Sequence, residues 1–256
     1  MRIISIANFK GGTGKTVTAC NMAAILADRG YQVLVIDADP QHNTTDFFGH
    51  LADVTLSDIL ATSSPRYADA ITLSRVDRVC LVSADMGLLS LDLASMLAGG
   101  GDYIHRFTEF VGFLRTSGDF DYVVVDCPPS FTAASVAALS VSDDVIIPTR
   151  VDAFSRAGVL ELQDQLSRLG RLRVWGFRVL ITMADRTNLF RQGSELLRDS
   201  GLPVFDTEIR TSVVVGESTF ARQPLAEYAP RNPAAVDYLA FVEEYLEVHG
   251  DGKEDV

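Results

Sequence analysis

The stretch Asn8-Phe9-Lys10-Gly11-Gly12-Thr13-Gly14-Lys15-Thr16 decides the fold of this chain. It follows a short apolar run at residues 3–7 and precedes a helical pattern, which predicts a strand, a glycine-rich turn and a helix N-terminus in that order. Three glycines allow successive backbone N–H groups to converge, and the helix N-terminus adds partial positive charge at the same place. The stretch therefore predicts a cradle for phosphate groups.

Two lysines in this stretch have different expected roles. Lys15 should reach the β- and γ-phosphates of a nucleotide, and the Thr16 hydroxyl should hold Mg²⁺. The usual pattern, G-x-x-x-x-G-K-[ST], has glycine where this chain has Phe9, and a second lysine, Lys10, follows. The chain has three lysines against nineteen arginines, and two of the three lie in this loop, where a compact point charge suits phosphate. A glycine-rich turn with a chance lysine is the weaker alternative.

The segment from Lys10 to Thr16 resembles the deviant Walker A motif of the ParA/MinD family of P-loop ATPases. The resemblance implies an α/β fold, with a doubly wound, mostly parallel sheet and helices on both faces, and it implies ATP and Mg²⁺ as cofactors. It also implies that Lys10 reaches across a nucleotide-sandwich dimer to the phosphates of the partner subunit. The nucleotide-binding residues that it implies are Lys10, Gly11, Gly12, Thr13, Gly14, Lys15, Thr16 and Val17.

A second informative segment begins with a buried strand at residues 31–37, which is apolar nearly throughout, as expected for a parallel strand covered on both faces. Ligands of doubly wound sheets bind at the carboxyl ends of strands, where Asp37 and Asp39 lie. The run resembles the family's D-x-D-P-Q segment. The resemblance implies that Asp39 positions or activates the attacking water and that Asp37 lies near Mg²⁺ through water. The alternative is an ordinary Asx-rich turn.

A third segment, residues 121–130, is a buried strand that ends at Asp126 and continues into two prolines. This is the Walker B arrangement, in which Asp126 holds Mg²⁺ through its water shell. Pro128 and Pro129 predict a rigid turn beside the γ-phosphate. The segment resembles the family's D-C-P-P-S stretch.

The C-terminal third resembles the chromosome and plasmid partition branch of the family. Residues 182–189 are similar to its T-M-x-D-x-R-T-N-L segment, with one residue fewer, and residues 209–217 and 223–230 resemble its later signatures. The likeness implies an adenine pocket at Met183 and a DNA contact at Arg186. It covers nearly the whole chain and is weakest between residues 50 and 117.

Periodicity predicts further elements around these segments. Helices are expected at 17–29, 56–61, 88–97 and 103–115, strands at 79–84, 143–148 and 174–181, and a flexible break at 99–101. Residues 1–248 are expected to form one P-loop ATPase domain, and 249–256 an acidic, disordered tail.

The net charge of −12 argues against nucleic acid, but the distribution of charge matters more than its sum. Nine arginines and five acidic residues lie between positions 150 and 198, which favours a local patch for DNA phosphates. The alternative is a solvated surface with scattered ion pairs. Several relatives carry a DNA-binding arginine where this chain has Val213 to Val215. The candidate DNA-binding residues are Arg168, Arg171, Arg173, Arg186 and Arg191.

No apolar run of 18 residues occurs and no signal peptide is recognised, so we expect a cytoplasmic, nucleoid-associated protein. Cys20, Cys80 and Cys127 are isolated, without the spacing of a metal site, and are expected to be small apolar residues. The N-K-x-D guanine motif is absent, which disfavours GTP.

The sequence therefore predicts a ParA-type partition ATPase that dimerises on ATP, binds DNA nonspecifically and hydrolyses ATP slowly without a ParB-like activator. A positioning ATPase for a protein cargo would use the same chemistry and stays open. A membrane-cycling ATPase of the MinD kind is disfavoured, because residues 241–248 lack basic residues and an acidic tail follows.

Overall fold

The structure is a computed structural model that describes residues 1–62, 66–98, 102–152, 155–168 and 176–249. Its strands are β1 (Arg2–Ile6), β2 (Val33–Asp37), β3 (Ile71–Leu73), β4 (Val79–Val82), β5 (Tyr122–Asp126), β6 (Asp144–Arg150), β7 (Gly176–Ala184) and β8 (Val204–Arg210). Its helices are α1 (Lys15–Asp28), α2 (Asn43–Phe48), α3 (Leu56–Ala61), α4 (Gly87–Ala98), α5 (Tyr103–Ser117), α6 (Ala133–Val141), α7 (Ser155–Arg168), α8 (Asn188–Arg198), α9 (Val213–Ala221), α10 (Leu225–Tyr228) and α11 (Pro233–His249).

One eight-stranded sheet organises these elements, in the order β3-β4-β2-β5-β1-β6-β7-β8. The described pairings are parallel except that of β3 with β4, which is antiparallel. The first strand, β1, lies between β5 and β6, so the chain winds outward in both directions from it. A crevice is expected at the carboxyl end of such a strand, where the winding reverses. The predicted doubly wound α/β fold is confirmed.

Two apolar cores lie on the two faces of the sheet. Successive residues of β5 alternate between them: Val123 and Val125 join the core under α3 to α8, whereas Tyr122 and Val124 join the core under α1, α2, α10 and α11. Burial on both faces explains why the central strands are apolar without alternation in the sequence. The sheet is thereby held between two helical layers. A ligand is therefore expected at the carboxyl ends of the strands rather than on the faces of the sheet.

The predicted elements are present, with shifted bounds. Helix α1 begins at Lys15, two residues earlier than predicted, because Gly14 takes the N-cap position with φ of 87°. Strand β7 runs to Ala184, three residues beyond its predicted end. No bounds were predicted for the strands β3 and β8 or for the helices α2 and α6 to α11. The predicted break at 99–101 lies outside the described residues.

The predicted boundary of the acidic tail, between residues 248 and 249, falls within the last turn of α11. His249 is the last residue of α11, and its ring packs on Tyr245 with centroids 4.5 Å apart. Its Nδ1 atom lies 2.6 Å from the Arg2 guanidinium, which also pairs with Asp144. These contacts hold the last turn of the helix to β1 and β6. Residues 250–256 lie outside the described part of the chain.

We expect Phe241→Ala in α11 to lower the free energy of unfolding by about 3–5 kcal/mol, because it removes a fully buried ring and leaves a cavity. Phe241 packs edge-on against Phe205, with centroids 5.0 Å apart. Val236→Ala on the same helix is the control; Val236 is 48% exposed, and its replacement should change stability by about 0.5 kcal/mol or less. Urea unfolding of both variants measures the difference, and equal losses would contradict the described docking of α11.

Candidate nucleotide and magnesium site

The glycine-rich loop joins β1 to α1 at the crevice. Gly12 and Gly14 have φ of 69° and 87°, left-handed values that favour glycine. A Cβ atom added at Gly11 or Gly12 would meet no heavy atom within 4 Å, so the concave side of the loop is open. Thr182 at the end of β7 donates a hydrogen bond to the Thr13 carbonyl over 2.9 Å and holds the loop against the sheet. This geometry is a cradle of backbone N–H groups that suits phosphate.

Asn8 fixes the start of the loop. Its side-chain amide donates to the Pro148 carbonyl of β6 over 2.8 Å, and its Oδ1 atom accepts from the backbone N–H of Lys10 over 3.0 Å. The side chain is buried, so both bonds form away from water. Asn8 therefore determines where the loop leaves the sheet, a role the sequence did not assign to it.

The two lysines have opposite environments. Lys15 is 8% exposed and donates from Nζ to the Lys10 carbonyl over 3.1 Å. Burial lowers the pKa of Lys15, against the opposing charges of Asp126 and Asp39. The Lys10 side chain is 44% exposed and forms an ion pair with Asp152, just beyond β6. One lysine thus lies inside the cradle, and the other lies on its rim.

Asp37 and Asp126 end the adjacent strands β2 and β5 and lie opposite each other in the sheet register. The Oδ2 atom of Asp126 accepts hydrogen bonds from the hydroxyls of Thr16 over 2.8 Å and Thr44 over 2.7 Å. Its Oδ1 atom is buried and has no hydrogen-bond partner among the described residues. An unsatisfied buried carboxylate oxygen is costly, so this atom indicates a place for a bound group.

Asp37 is satisfied within the protein. Its Oδ2 atom accepts from the N–H and the hydroxyl of Thr45 over 2.7 and 2.8 Å, and its Oδ1 atom accepts from the N–H of Asp39 over 3.1 Å. Burial raises the pKa of Asp37, and the nearby charge of Asp126 raises it further. Burial likewise raises the pKa of Asp126, against the hydrogen bonds from Thr44 and Thr16. Two neighbouring carboxylates in a dry crevice favour a cation.

These residues fit Mg²⁺ in a particular way. The described residues contain no group of three or more histidines, cysteines, aspartates or glutamates able to hold a metal by themselves. Mg²⁺ does not need such a cage, because it keeps several waters and is held by one or two carboxylates together with substrate phosphates. Asp126 and Thr16 present oxygens at the cradle, whereas both oxygens of Asp37 are already engaged. The predicted position of Asp37, near Mg²⁺ through water, stays a prediction.

Asp39 lies near the loop, half-buried. Its Oδ1 atom accepts from the N–H of Gln41 over 2.9 Å, which fixes the turn after β2. Its charge acts on both Lys15 and Asp126. Its assignment to the attacking water stays a prediction.

The adenine contact predicted at Met183 stays a prediction. Met183 has φ of 55°, an uncommon value for a residue other than glycine. Its side chain lines a cavity of about 860 Å³ between α7 and α8, and none of the described residues that line this cavity belongs to the loop at 8–17. Its neighbour, Thr182, contacts the loop. Val17, the remaining predicted nucleotide contact, is half-buried in the first turn of α1.

The candidate DNA-binding arginines are only partly described. Arg186 and Arg191 are exposed, beside and within the first turn of α8, and Arg168 ends α7. Arg171 and Arg173 lie outside the described residues. Two further arginines of the same basic stretch are used by the fold, since Arg178 stacks on Phe205 at 5.0 Å and Arg198 donates to Glu208 over 3.1 Å.

Sequence reasoning missed Thr44, Thr45 and Asp152. The threonines lie in the first turn of α2, directly after the acidic turn. Two hydroxyl side chains seven and eight residues after Asp37 could have been predicted as hydrogen-bond donors to the carboxylates. Asp152 follows β6 by two residues, at the same edge of the sheet as the loop. Its contact with Lys10 spans 142 positions and depends on β6 lying next to β1, which the sequence does not state.

A parallel, doubly wound sheet with a lysine-bearing glycine loop and two acidic strand ends defines a P-loop nucleoside triphosphatase. A family model described as an AAA domain matches residues 1–173. The chromosome-partitioning ATPase Soj of Thermus thermophilus is 34% identical over 253 residues, 96% of this chain and 96% of that protein. The chromosome partitioning protein ParA of Caulobacter vibrioides is 30% identical over 256 residues, 96% of this chain and 94% of its own.

Among solved structures, cobyrinic acid a,c-diamide synthase from Mycobacterium smegmatis with bound ADP and magnesium gives a TM-score of 0.79 at 25% identity, covering 99% of this chain and 97% of that one. The chain belongs to the ParA/MinD family of ATPases, as its loop suggested. The family includes proteins named for chromosome partitioning.

The buried carboxylate gives a pH-dependent prediction for the nucleotide-free protein. Because burial raises the pKa of Asp126, its contribution to stability is present below about pH 4 and is lost as the pH rises through the raised value. Asp126→Asn keeps an acceptor for Thr16 and Thr44 but removes the charge. Its stability relative to wild type should therefore rise by about 1–3 kcal/mol between about pH 4.5 and pH 8.

Urea unfolding at both pH values measures this difference. Asp77→Asn, which removes a carboxylate whose side chain is 98% exposed, is the control for surface charge. A difference between Asp126→Asn and wild type that does not change with pH would contradict the described burial of Asp126.

Proposed function

We propose that this chain is an ATP-dependent partition ATPase, in which Mg²⁺ and ATP join two copies into a dimer that binds DNA until hydrolysis releases it. One observation carries the proposal: Lys15 lies inside the phosphate cradle beside Thr16 and Asp126, while Lys10 lies on the rim, where a second molecule can be reached. The two full-length relatives with partitioning names support the same biological role.

The cradle is proposed to hold the phosphates of ATP through the backbone N–H groups of residues 11–16 and the Lys15 ammonium. Thr16 and Asp126 would hold Mg²⁺, with Asp37 behind them through water. The cation would neutralise charge that develops on the phosphates. The relative from M. smegmatis, whose structure contains ADP and magnesium, supports this assignment.

The chain's own groups would contribute position and charge. Lys15 is desolvated, so its charge would act on the phosphates more strongly than it would in water. Asp39, half-buried at the turn after β2, would orient the attacking water. Hydrolysis should be slow without a partner, about 10⁻² s⁻¹ or less by analogy with switch GTPases.

Dimer formation would require Lys10 to change partners. In the single chain its ammonium is paired with Asp152, and its backbone is held by Asn8. An exposed ion pair of this kind is worth about 1 kcal/mol or less, so the phosphates of a second subunit can replace Asp152 at little cost. Lys10 would then act in trans on the nucleotide of the partner subunit.

DNA binding is proposed to be nonspecific and sensitive to salt, through phosphate contacts of Arg186 and Arg191, with Arg168, Arg171 and Arg173 as further candidates. Arg186 and Arg191 are exposed, which supports their proposed contact with DNA phosphates. The apolar Val213, 81% exposed where relatives carry arginine nearby, weakens it. The protein is proposed to work in the cytoplasm on the nucleoid, with a ParB-like activator.

A membrane-cycling role is less well supported. Within the described residues no helix is long and apolar enough to span a bilayer. The apolar side of α11, with Tyr238, Phe241 and Tyr245, is buried against the sheet, so this helix has no free apolar face to insert between lipids.

Two lysine variants separate binding from dimerisation. Lys15→Ala should weaken ATP binding by about two orders of magnitude or more, because it removes the buried charge at the phosphates. Lys10→Ala should keep ATP affinity within a few-fold and lose the ATP-dependent dimer. Calorimetry with ATP and sedimentation with a nonhydrolysable analogue measure the two effects; micromolar affinity retained in Lys15→Ala would exclude the proposed cradle.

A DNA titration against salt tests the partition role. With ATP, wild type should bind duplex DNA of any sequence at low salt and lose affinity steeply as salt rises. Arg186→Ala should weaken DNA binding. It should also reduce the slope of log K against log salt concentration by about one in magnitude, since one phosphate contact is lost. Arg66→Ala, an 81% exposed side chain beyond α3, is the matched control. Absence of any ATP-dependent binding would favour a positioning ATPase with a protein cargo.

A further inference from the structure

Phe9 is the residue of the loop that the proposed chemistry leaves unexplained. It stands where the usual pattern has glycine, and its side chain is half-buried. Its ring contacts that of Phe131, with centroids 4.1 Å apart and an interplanar angle of 54°. Phe131 is 39% exposed and lies five residues after Asp126. The pair therefore joins the lysine-bearing loop to the segment that follows the proposed magnesium residue.

Three consecutive residues of the loop point to different parts of the fold. Asn8 bonds to the Pro148 carbonyl of β6, and Lys10 pairs with Asp152 just beyond the same strand. Phe9, between them, packs in the other direction, on the connection from β5 to α6. The position of Lys10 is thus set from both sides of β1.

The segment that carries Phe131 is itself braced. The Ser135 hydroxyl donates to the Ser130 carbonyl over 2.9 Å, and the Thr132 hydroxyl accepts from the N–H of Ser135 at the start of α6. Asp92 of α4 accepts from the N–H of Ala133 over 2.7 Å. Pro128 and Pro129 precede it and restrict the backbone, so the segment is expected to move as one unit. A shift at Asp126 would therefore carry Phe131 with it.

We propose that Phe9 and Phe131 form a positioning pair that transmits the arrangement of the segment after Asp126 to Lys10. The proposal rests on the proposed function and adds the residues that couple the occupied cradle to the lysine that acts in trans. Phe9 directly precedes Lys10 in the chain, so both rings act through Lys10. Loss of either ring would uncouple Lys10 from the segment after Asp126, while the residues that contact the nucleotide would stay in place.

Phe131→Ala, Phe9→Ala and the double variant test this coupling in the full chain. ADP affinity, measured by calorimetry, should stay within about threefold of wild type, whereas kcat for ATP hydrolysis and the ATP-dependent dimer should fall about tenfold. The double variant should lose no more than either single variant, because both remove one interaction. Phe131→Tyr, which keeps the ring, should retain at least about half of the wild-type kcat.

Phe113→Ala is the control for a merely structural loss. Phe113 packs on Tyr67 with centroids 5.3 Å apart, on α5 rather than near the loop, and its removal should lower stability without separating kcat from ADP affinity. Unchanged kcat in Phe131→Ala, losses that add in the double variant, or a parallel loss of ADP affinity would overturn the positioning pair. A wild-type protein that binds ADP but neither dimerises nor hydrolyses ATP would instead overturn the proposed function, and the pair with it.

Discussion

The structure depends on an electrostatic constraint at the carboxyl edge of the sheet. Asp37 and Asp126 end neighbouring strands and are buried, and the buried Lys15 supplies one compensating charge. Threonine hydroxyls and backbone N–H groups satisfy three of the four carboxylate oxygens, and the fourth is left without a partner among the described residues. An unpaired buried carboxylate oxygen costs stability, and a bound cation would offset that cost, so the fold favours an occupied crevice.

The surrounding elements bury that cluster and fix its position. Strand β1 lies at the centre of eight strands, so the loop that leaves it is bordered by β5 and β6, which provide the carboxylate and the lysine's partner. Helices cover both faces and leave the strand ends as the accessible edge. Stability comes from the two cores, whereas the chemistry comes from residues that lower stability when the crevice is empty. This division is common in enzymes, where sites store strain that the scaffold offsets.

Much of this was predictable because it is local. The loop, the acidic strand ends and the apolar strands are contiguous in sequence, and they predicted the fold. They also singled out Thr16 and Asp126, which the structure brings into hydrogen-bond contact. What could not be predicted depends on distant packing. The pairing of Lys10 with Asp152 and the contact of Phe9 with Phe131 require the strand order, and the use of Arg178 and Arg198 inside the fold requires the positions of Phe205 and Glu208. Charge counting alone cannot separate such arginines from a binding surface.

The contacts among Arg2, Asp144 and His249 have a practical consequence for studying this molecule in cells. They bring the first residues of β1 and the last turn of α11 together at the amino edge of the sheet, on the side away from the glycine loop. A label attached at either of these positions would lie on the side of the sheet away from the glycine loop and would leave the surface around Lys10 accessible.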